Sequence, residues 1–339
     1  MKVIGFFHDD LDGAGCTTVF NVAHQHMGED AKIVNCSNSN VDVKVTQEIW
    51  GQKPVDPDIM ICFGDICPTR TMLEKLATEF DNIWIWDHHK TNLFAKEVIE
   101  NAKIVPEPVN GKLESGTSLM YQYYVSLAKS FSHDKRGLYF NNPANHQLLK
   151  SFVDTVRSYD TYEWKETNNF LAKKLQTLYN LLGMDRFVRK YTARLTDLRD
   201  SNVLIEEQDL TFIDSKVEQE QRSIDAVSTD DVYVRDITKG NRGYKCALKL
   251  STGGMNISEL SYQFLSKHPE FDIFIGINLG SGDLQYRTIK DDIDTGAIFA
   301  KPGGGGGHPK ASGSPIPEQL QDNVIAAIVD HISEEAGWR

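Results

Sequence analysis

Aspartate and histidine residues gather at three places in the N-terminal part of the chain. The stretch HDDLDG contains His8, Asp10 and Asp12, FGDICP contains Asp65, and WIWDHHK contains Asp87, His88 and His89. These side chains offer imidazole nitrogens and carboxylate oxygens without a thiolate, a combination that suits manganese, magnesium or cobalt better than structural zinc. One cation needs three or four such groups, so a set of this size predicts two divalent cations, about 3.5–4 Å apart, that share a carboxylate.

Each of these residues has a simpler explanation when it is taken alone. An aspartate after a strand, such as Asp65, is usually a helix cap or a turn residue, and paired histidines are usually surface groups. The combination favours a different interpretation, because burying several carboxylates at one place without cations costs much free energy. We therefore predict a metal centre.

The elements that must position these residues are strands. The segments KVIGFF, AKIVNC, IMICFG and NIWIWD are short and almost continuously apolar, as expected for strands that are covered on both faces. Helical patterns over Ala14–His26 and Arg70–Phe80 lie between them, which predicts a mostly parallel sheet with right-handed crossovers. Ligands bind at the carboxyl ends of such strands, and three of the four predicted strands end in one of the clusters.

The first cluster follows its strand so closely that its sequence suggests extended chain. Side chains alternate along a strand, so His8, Asp10 and Asp12 are expected to share one side. Gly13 and Gly15 would then allow a tight turn into the next helix.

The remainder of the chain predicts two further parts. Helical patterns cover Thr117–Lys129 and His146–Tyr159, and residues 166–228 are polar and helix-like, which indicates a helical connector. Strand-like runs return in DVYVRDI, YKCALKL, FDIFIGINL and DLQYRTI, with helices at Ile257–Lys267 and near Glu318–Ala336. We predict an α/β protein with an N-terminal parallel-sheet domain (1–165), the connector (166–228) and a smaller C-terminal α/β domain (229–339).

Composition and charge narrow the classes of function. The net charge of −12 argues against binding of long duplex nucleic acid through a basic face, but not against an enzyme that meets phosphates with cations. No apolar stretch approaches the ~20 residues of a membrane span, and the N-terminus lacks the pattern of a signal peptide. The five cysteines are scattered, odd in number and set mostly in apolar segments, which predicts reduced core thiols and a cytoplasmic protein.

The order of the clusters resembles the DHH phosphoesterase superfamily. Its first motif, His-x-Asp-x-Asp-Gly, matches His8 to Gly13, the second, an isolated aspartate after an apolar strand, matches Asp65, and the third, Asp-His-His, matches Asp87–His89. The fourth motif is a later aspartate, for which RSYDTYEW offers Asp160 and, six residues earlier, Asp154 is the alternative. We choose Asp160 because it ends a helix-like run among aromatic residues.

The C-terminal part resembles the DHH-associated domain. The mark of that domain is a Gly-Gly-Gly-His loop followed by Ala and Gly, which GGGGGHPKASG matches with His308, Ala311 and Gly313. An arginine on a preceding strand corresponds to Arg287 in LQYRTI. With HDDLDG and SYDTYEW, the chain is most similar to the bacterial nanoRNase (NrnB-like) branch of the superfamily.

The resemblance implies a hydrolase with two divalent cations, foremost Mn²⁺ with Mg²⁺ or Co²⁺ as alternatives, in a cleft between the two domains. The residues that would bind the cations are His8, Asp10, Asp12, Asp65, His88 and Asp160. His8 and Asp10 would hold one cation and Asp12, His88 and Asp160 the other, with Asp65 as the bridge. Asp87, His88 and His89 would be the catalytic residues, with Asp87 orienting a histidine.

The implied substrates are dinucleotides and oligoribonucleotides of a few residues, cleaved to 5′-mononucleotides. The residues that would bind them are His89, Arg287, Gly305, Gly306, Gly307 and His308. Taken alone, the glycine run would be a flexible linker, but its N–H groups can also converge on an anion. Residues 115–117 in ESGTSLMY are either a helix N-terminus that meets a phosphate or an ordinary cap.

Several other functions use the same parts. The alternatives are a cyclic or linear dinucleotide phosphodiesterase, an adenosine bisphosphate phosphatase, and a RecJ-like exonuclease for single-stranded DNA. A nucleotide sensor without catalysis and a purely structural metal site are the non-enzymatic alternatives. The sequence is consistent with two roles for the connector, a hinge between the domains or the surface of a homodimer.

Overall fold

The structure of the protein is a computed structural model that describes residues 2–25, 31–51, 56–130, 139–140, 143–196, 203–251, 256–280 and 282–317, and Asn323. The chain folds into two units, Met1–Val217 and Glu218–Arg339. Among the described residues, no helix combines the length and the apolar character that crossing a membrane requires.

Within the described part of the first unit, five parallel strands form one sheet. They are β1 (Val3–His8), β2 (Ala31–Cys36), β3 (Met60–Gly64), β4 (Ile83–Asp87) and β5 (Asn101–Ile104), in the spatial order β2-β1-β3-β4-β5. The predicted parallel sheet is confirmed. The sequence did not indicate β5, because an edge strand with an exposed Lys103 lacks the continuous apolar pattern of buried strands.

Helices cover this sheet and continue into the predicted connector. They are α1 (Leu11–Gln25), α2 (Val41–Val45, extended by a π-helical turn at Thr46–Trp50), α3 (Arg70–Glu79), α4 (Ala95–Val98), α5 (Gly116–Ser130), α6 (Pro143–Asp160), α7 (Glu163–Glu166), α8 (Phe170–Leu182), α9 (Met184–Thr196) and α10 (Glu207–Asp225). A 3₁₀ turn at Lys90–Asn92 follows β4. Between residues 166 and 228, the predicted connector, the described residues include α8, α9 and α10 and no strand.

Apolar side chains alternate between the two faces of the first sheet. On β1, Phe7 packs edge-on against Phe20 of α1, with ring centroids 5.2 Å apart. Its neighbour Phe6 stacks on Phe63 of β3 on the opposite face, also at 5.2 Å. Each face therefore has its own buried core, which explains why these strands are apolar at consecutive positions.

The strand order puts the acidic clusters at one edge of the sheet. Strand β2 lies on one side of β1, and β3, the next strand along the chain, lies on the other side. The direction of winding therefore reverses between β1 and β3, and ligands of such sheets bind at the carboxyl ends of the strands at this switch point. His8 ends β1, Asp65 directly follows β3, and Asp87 ends the neighbouring strand β4.

The prediction of extended chain through Asp12 is wrong. Helix α1 begins at Leu11, and Asp10 is its N-cap, because the Asp10 Oδ1 accepts a 2.9 Å hydrogen bond from the N–H of Gly13. The glycines serve close packing instead of a turn. A Cβ on Gly13 would lie 1.9 Å from the carbonyl oxygen of His8, and one on Gly15 would lie 2.2 Å from Oγ1 of Thr117.

The second unit is built on a mixed sheet of six strands within its described residues. They are β6 (Tyr233–Lys239), β7 (Arg242–Ser251), β8 (Ile273–Asn278), β9 (Asp283–Arg287), β10 (Gly306–His308) and β11 (Ala311–Pro315), in the spatial order β10-β11-β9-β8-β7-β6. The predicted helix Ile257–Lys267 is confirmed as α11. The helix predicted at Glu318–Ala336 lies outside the described residues, except for Asn323.

The core of the second unit is aromatic on both sides of its sheet. Phe264 of α11 packs on Phe274 of β8, with ring centroids 5.4 Å apart. Tyr286 of β9 stacks on Phe299, at 5.4 Å and an interplanar angle of 22°. Phe299 belongs to a helical turn at Gly296–Ala300 that precedes the glycine run, so the core packing anchors the glycine-rich segment.

Candidate metal centre

His8, Asp10 and Asp65 form the first group of candidate ligands. Nδ1 of His8 lies 2.8 Å from Oδ2 of Asp10 and 3.4 Å from Oδ2 of Asp65. One ligand atom of each residue lies within 4.8 Å of the others, which a cation with ligands at about 2–2.6 Å can span. The group is a candidate site for one divalent cation.

Asp65 joins this group to the histidines of the third motif. Its backbone has a φ of +56°, and its N–H donates to the carbonyl of Trp86 at 2.9 Å. Few side chains other than glycine adopt the left-handed region, although aspartate is among those that do. Its carboxylate, only 1% exposed, has Oδ2 near His8 and Oδ1 3.3 Å from Nε2 of His88. One side chain therefore adjoins both groups.

Asp12, His88 and Asp160 form the second group, again with one ligand atom each within 4.8 Å of the others. Nε2 of His88 lies 3.2 Å from Oδ2 of Asp160, which ends α6. Asp154, the alternative residue for the fourth motif, is instead half exposed in an ion pair with Lys150. The structure places Asp160, and not Asp154, beside His88.

The N-terminus of α5 holds the carboxylate of Asp12. The N–H groups of Gly116 and Thr117 donate to it at 2.6 and 3.1 Å, and the hydroxyl of Ser115 donates at 2.7 Å. These bonds satisfy donors that the first turn of a helix leaves unpaired. Of the two interpretations of ESGTSLMY, the cap is therefore correct, and the capped anion is a side chain of the first motif.

Gly116 lets α5 approach the site this closely. A Cβ at this position would lie 2.7 Å from Cβ and 2.8 Å from the backbone nitrogen of Asp65. Such distances do not occur in packed proteins, so any side chain would displace either α5 or Asp65. The glycine thus ties the position of the helix terminus to that of the shared carboxylate.

Asp87 organises the loop that carries the two histidines. Its Oδ1 accepts hydrogen bonds from the N–H groups of His88 and His89 at 2.7 and 3.1 Å, and its Oδ2 accepts one from the side-chain amide of Asn92 at 2.5 Å. Oδ1 also lies 2.8 Å from Nδ1 of His89. The ring of His89 is therefore fixed with Nδ1 towards Asp87 and Nε2 on its far side.

Burial and mutual charge set the protonation of the cluster. Burial acts to lower the pKa of His8 and of His88, but the neighbouring carboxylates outweigh it and raise both pKa values well above the ordinary range. Burial acts to raise the pKa of Asp65, yet the two histidines hold it well below the ordinary value. Burial and the charges of nearby aspartates raise the pKa of Asp12, and that of Asp160 to about 6. The carboxylates thus require positive charge beside them.

Known proteins resemble the chain over most of its length. Oligoribonuclease NrnB of Bacillus subtilis (strain 168) is 29% identical over 328 residues, which cover 95% of this chain and 74% of that protein. A 3′,5′-cyclic-nucleotide phosphodiesterase of Helicobacter pylori (strain ATCC 700392 / 26695) is 22% identical, with 93% of each chain covered. No family model matches the chain.

Two solved structures have the same fold. Exonuclease RecJ bound to manganese has a TM-score of 0.57 at 11% sequence identity, with 96% of this chain and 88% of that chain covered. RecJ of Thermus thermophilus in complex with Mn²⁺ also has a TM-score of 0.57 at 11% identity, but this chain spans 52% of its length. These similarities support the resemblance of the motifs to the DHH phosphoesterase superfamily. The relatives are named as an oligoribonuclease, a phosphodiesterase and an exonuclease that binds manganese.

The donors of the candidate metal centre fit divalent cations. Both carboxylate oxygens of Asp65 and Oδ2 of Asp160 are buried without a hydrogen bond of ordinary geometry from a described residue, and the histidine nitrogens beside them lie 3.2–3.4 Å away. Such contacts offset only part of the cost of burying a carboxylate, which is several kcal/mol when it is uncompensated. Oxygen and imidazole donors that converge in this way are ligands for magnesium, manganese or cobalt, and the missing compensation is what such cations supply.

The glycine run of the second unit is ordered by its own backbone. Gly306 to His308 form β10, which pairs with β11 across a turn at Pro309. Gly304 and Gly307 have φ angles of +77° and +128°, and a Cβ on Gly305 would lie 1.9 Å from the carbonyl oxygen of Gly313. The N–H of Gly305 donates to the carbonyl of Ala300 at 2.8 Å, so that group is already used inside the loop.

Arg287, the predicted phosphate ligand of this unit, makes hydrogen bonds inside it. Its Nε and NH2 donate to Oγ of Ser258 at 3.2 and 3.0 Å, NH1 donates to the carbonyl of Ser312 at 3.0 Å, and NH2 donates to Oε1 of Gln285 at 3.3 Å. The guanidinium therefore also links α11 to β9 and β11. NH1 also donates to the carbonyl of Tyr286 at 3.0 Å, so all five N–H groups are used and contact with a phosphate requires the exchange of one of these bonds.

The sequence did not reveal the residues that support the DHH motifs. Asn92 holds Asp87, the hydroxyl of Ser115 holds Asp12, and the phenol of Tyr179 in α8 donates to the carbonyl of Asp9 at 2.8 Å. The position of Ser115 directly before a helical pattern indicated a role at a helix N-terminus. Nothing in the sequence indicated the roles of Asn92 and Tyr179, because their partners are fixed only by the tertiary fold.

Proposed function

We propose that the chain is a two-metal phosphodiesterase that hydrolyses dinucleotides and short oligoribonucleotides to 5′-mononucleotides. The observation that carries this proposal is the pair of ligand groups that share Asp65, one with His8 and Asp10 and the other beside His88. The similarity to a protein named oligoribonuclease NrnB over 95% of the chain supports the substrate class.

Each group of side chains has a defined task in this mechanism. His8 and Asp10 would hold one cation, Asp12, His88 and Asp160 would hold the other, and the carboxylate of Asp65 adjoins both groups. When bound, the cations supply Lewis acidity and neutralise the charge of the phosphate. Positioning and electrostatics carry most of the barrier reduction in phosphoryl transfer, so a covalent nucleophile on the chain is not required.

His89 is the residue that we assign to the phosphate itself. Its Nδ1 is held 2.8 Å from Asp87, and its side chain is 28% exposed, whereas that of Asp87 is fully buried. The opposite nitrogen, Nε2, can therefore donate to a non-bridging phosphate oxygen, whose charge grows in the transition state. Asp87 acts through His89 and does not touch the substrate.

We assign recognition of the released nucleotide to the second unit. Gly306, Gly307 and His308 of the hairpin and Arg287 on β9 would hold its phosphate, and Gly305, whose N–H donates to the carbonyl of Ala300, would maintain the shape of the loop. Glycine backbone and a guanidinium both suit an anion. A surface of this small size would favour a substrate of few nucleotides.

The substrate class is tested with the purified full chain and Mn²⁺, Mg²⁺ or Co²⁺. The substrates are labelled dinucleotides, a long RNA, single-stranded DNA, adenosine 3′,5′-bisphosphate and a 3′,5′-cyclic nucleotide. We expect turnover of the dinucleotide at least about tenfold faster than of long RNA or DNA, with Mn²⁺ giving the highest rate. Equal rates on long and short RNA, or no turnover of any dinucleotide, would contradict the proposal.

Hydrolysis of cyclic nucleotides is the second candidate function. The cyclic-nucleotide phosphodiesterase of Helicobacter pylori aligns with 93% of this chain, and the same ligand groups would serve a cyclic phosphodiester. Faster turnover of the cyclic nucleotide than of the dinucleotide in the same assay would favour this candidate.

Binding of the cations has a readout that does not depend on turnover. A ligand at 100 times its dissociation constant stabilises a folded protein by about 2.7 kcal/mol. We expect Mn²⁺ to raise the melting temperature of the wild type and not that of Asp65→Asn. Equal shifts in both proteins would show that the cation binds elsewhere.

We further propose that the enzyme acts in the cytoplasm. All five cysteines are buried, and none of them forms a disulfide. Thiols persist in a reducing compartment, whereas exported proteins of this size usually pair them. Fractionation of cells that express the tagged chain would test this location.

A further inference from the structure

The turn that follows Asp160 contains a strained residue with an exposed ring. Tyr162 lies between α6 and α7, with a φ of +61°, and its side chain is 40% exposed. The left-handed region is a genuine outlier for a bulky side chain, and glycine is the usual residue where a helix ends in this conformation. A tyrosine here lowers the stability of the fold relative to glycine. Folding stability therefore does not explain why this position has an aromatic side chain.

The backbone that carries this ring is firmly braced. NH1 of Arg157 lies 2.5 Å from Oε2 of Glu163 and donates to the carbonyl of Leu113 at 2.9 Å. The rings of Tyr159 and Trp164 stack with centroids 5.8 Å apart and an interplanar angle of 11°. The position of Tyr162 is therefore fixed in advance, which reduces the entropy that a partner must overcome on binding.

The ring and its surroundings match the chemistry of a nucleobase. Nζ of Lys165 lies 5.3 Å from the centroid of Tyr162 and 5.4 Å from that of Trp164, and Nζ of Lys173 lies 5.9 Å from the latter. Exposed aromatic faces bind nucleobases by stacking. Nζ of Lys165 is buried, so this ammonium supports the two rings by cation–π contact and is not an exposed group for a phosphate.

The backbone of Tyr162 is also close to the candidate metal centre. Tyr162 follows Asp160 by two positions, so their Cα atoms are at most about 7.5 Å apart, and Oδ2 of Asp160 lies 3.2 Å from His88. We propose that Tyr162 stacks on the nucleobase next to the scissile phosphate and so determines preference for a base at that position. This inference rests on the proposed function, and it explains why the strained tyrosine is present where glycine would fold better.

The test compares Tyr162→Gly with Asn168→Gly. Asn168 is exposed and has a φ of +52° in the following turn, so its substitution introduces glycine at a second left-handed position without removing a ring. We expect Tyr162→Gly to be at least as stable as the wild type but to raise KM for a dinucleotide about tenfold, the usual effect of losing one stacked base. Asn168→Gly should leave KM unchanged, and Tyr162→Phe and Tyr162→Trp should keep it near the wild-type value.

Abasic dinucleotides make the assignment specific. Two analogues are used, each with one of the two bases replaced by hydrogen. In the wild type, removing the stacked base should raise KM about tenfold, whereas in Tyr162→Gly the same removal should have no further effect. Tyr162→Asn, which tolerates the left-handed region, repeats the test with an independently folded variant.

The outcomes separate this inference from the proposed function. An unchanged KM in both Tyr162→Gly and Tyr162→Asn, or base-removal effects equal to those of the wild type, would overturn the role of Tyr162 while dinucleotide hydrolysis stands. A wild-type protein that does not turn over any dinucleotide would overturn both.

Discussion

The metal cluster of the first unit is buried and built from side chains, whereas the glycine hairpin of the second unit is exposed and built from backbone. Asp12, Asp65 and His88 are 1–5% exposed and are held by a helix terminus, a strained backbone and neighbouring charges. Gly307 and His308 lie at the surface, in a hairpin that is held by its own strand pairing.

The difference reflects what each region must bind. A small cation with fixed ligand distances needs donors whose positions vary by less than about 0.5 Å, and burial keeps water from replacing them. A nucleotide is large and is already hydrated, so an exposed backbone loop with a few donors is sufficient to meet it. We therefore expect substitutions in the first region to affect kcat strongly and those in the second to affect KM moderately.

The largest effect is expected for Asp160→Asn. Loss of the charge that faces His88 should lower kcat with Mn²⁺ by about 10²-fold or more, because misplacing a reacting group by about 1 Å has that effect. Asp154→Asn is the matched control, since this residue is exposed and pairs with Lys150. If the two variants had equal activity, the assignment of the fourth motif would fail.

The second-largest effect on stability and activity is expected at Gly116, which packs against Asp65. Gly116→Ala places a Cβ 2.7 Å from that of Asp65, so we expect a loss of about 1–3 kcal/mol of unfolding free energy and a large loss of activity. Gly243→Ala, where nothing lies within 4 Å of the added atom, should change stability by less than about 0.5 kcal/mol. Denaturant unfolding and initial rates measure both, and a fully active Gly116→Ala would contradict the close packing.

A moderate effect is expected for Arg287→Lys in the second unit. The lysine cannot reproduce the bonds to Ser258, Gln285 and the carbonyl of Ser312, so stability should fall by about 1–3 kcal/mol. The KM for a dinucleotide should rise severalfold if the guanidinium also meets a phosphate. Lower stability with an unchanged KM would make Arg287 a purely structural residue and would sharpen the contrast with the cluster.

The smallest effect is a pH dependence of stability in the second unit. Burial acts to raise the pKa of Asp272, but bonds from the Lys290 ammonium at 2.6 Å and the Lys245 N–H at 2.8 Å lower it below the ordinary value. Its contribution is therefore fully present above the unfolded pKa of about 3.9 and is lost as the pH falls through the lower folded-state pKa. We expect Asp272→Asn to be less stable than the wild type by under about 1 kcal/mol at neutral pH, and this difference to shrink as the pH falls below about 3.9.

Asp291→Asn is the control for this measurement, because Asp291 is 93% exposed in its ion pair with Lys310. It should differ little from the wild type at any pH. If the difference in stability between the wild type and Asp272→Asn stayed the same in acid, the predicted effect of the lowered Asp272 pKa on stability would be contradicted.

The sequence determined the parallel sheet and the residues of the cluster, because both leave local patterns. Strands buried on both faces are apolar at consecutive positions, and His8, Asp65 and His88 stand directly at or after the ends of such strands. The edge strand β5 and the start of α1 at Leu11 leave no such pattern, since one is half exposed and the other begins among polar residues.

Only the tertiary structure decided what surrounds these residues. Nothing in the chain order says that the N-terminus of α5 receives Asp12, that Gly116 must be small because Asp65 touches it, or that the guanidinium of Arg287 is bonded within its own unit. These contacts join residues far apart in sequence, and their free energy depends on distances that exist only once the elements have packed together.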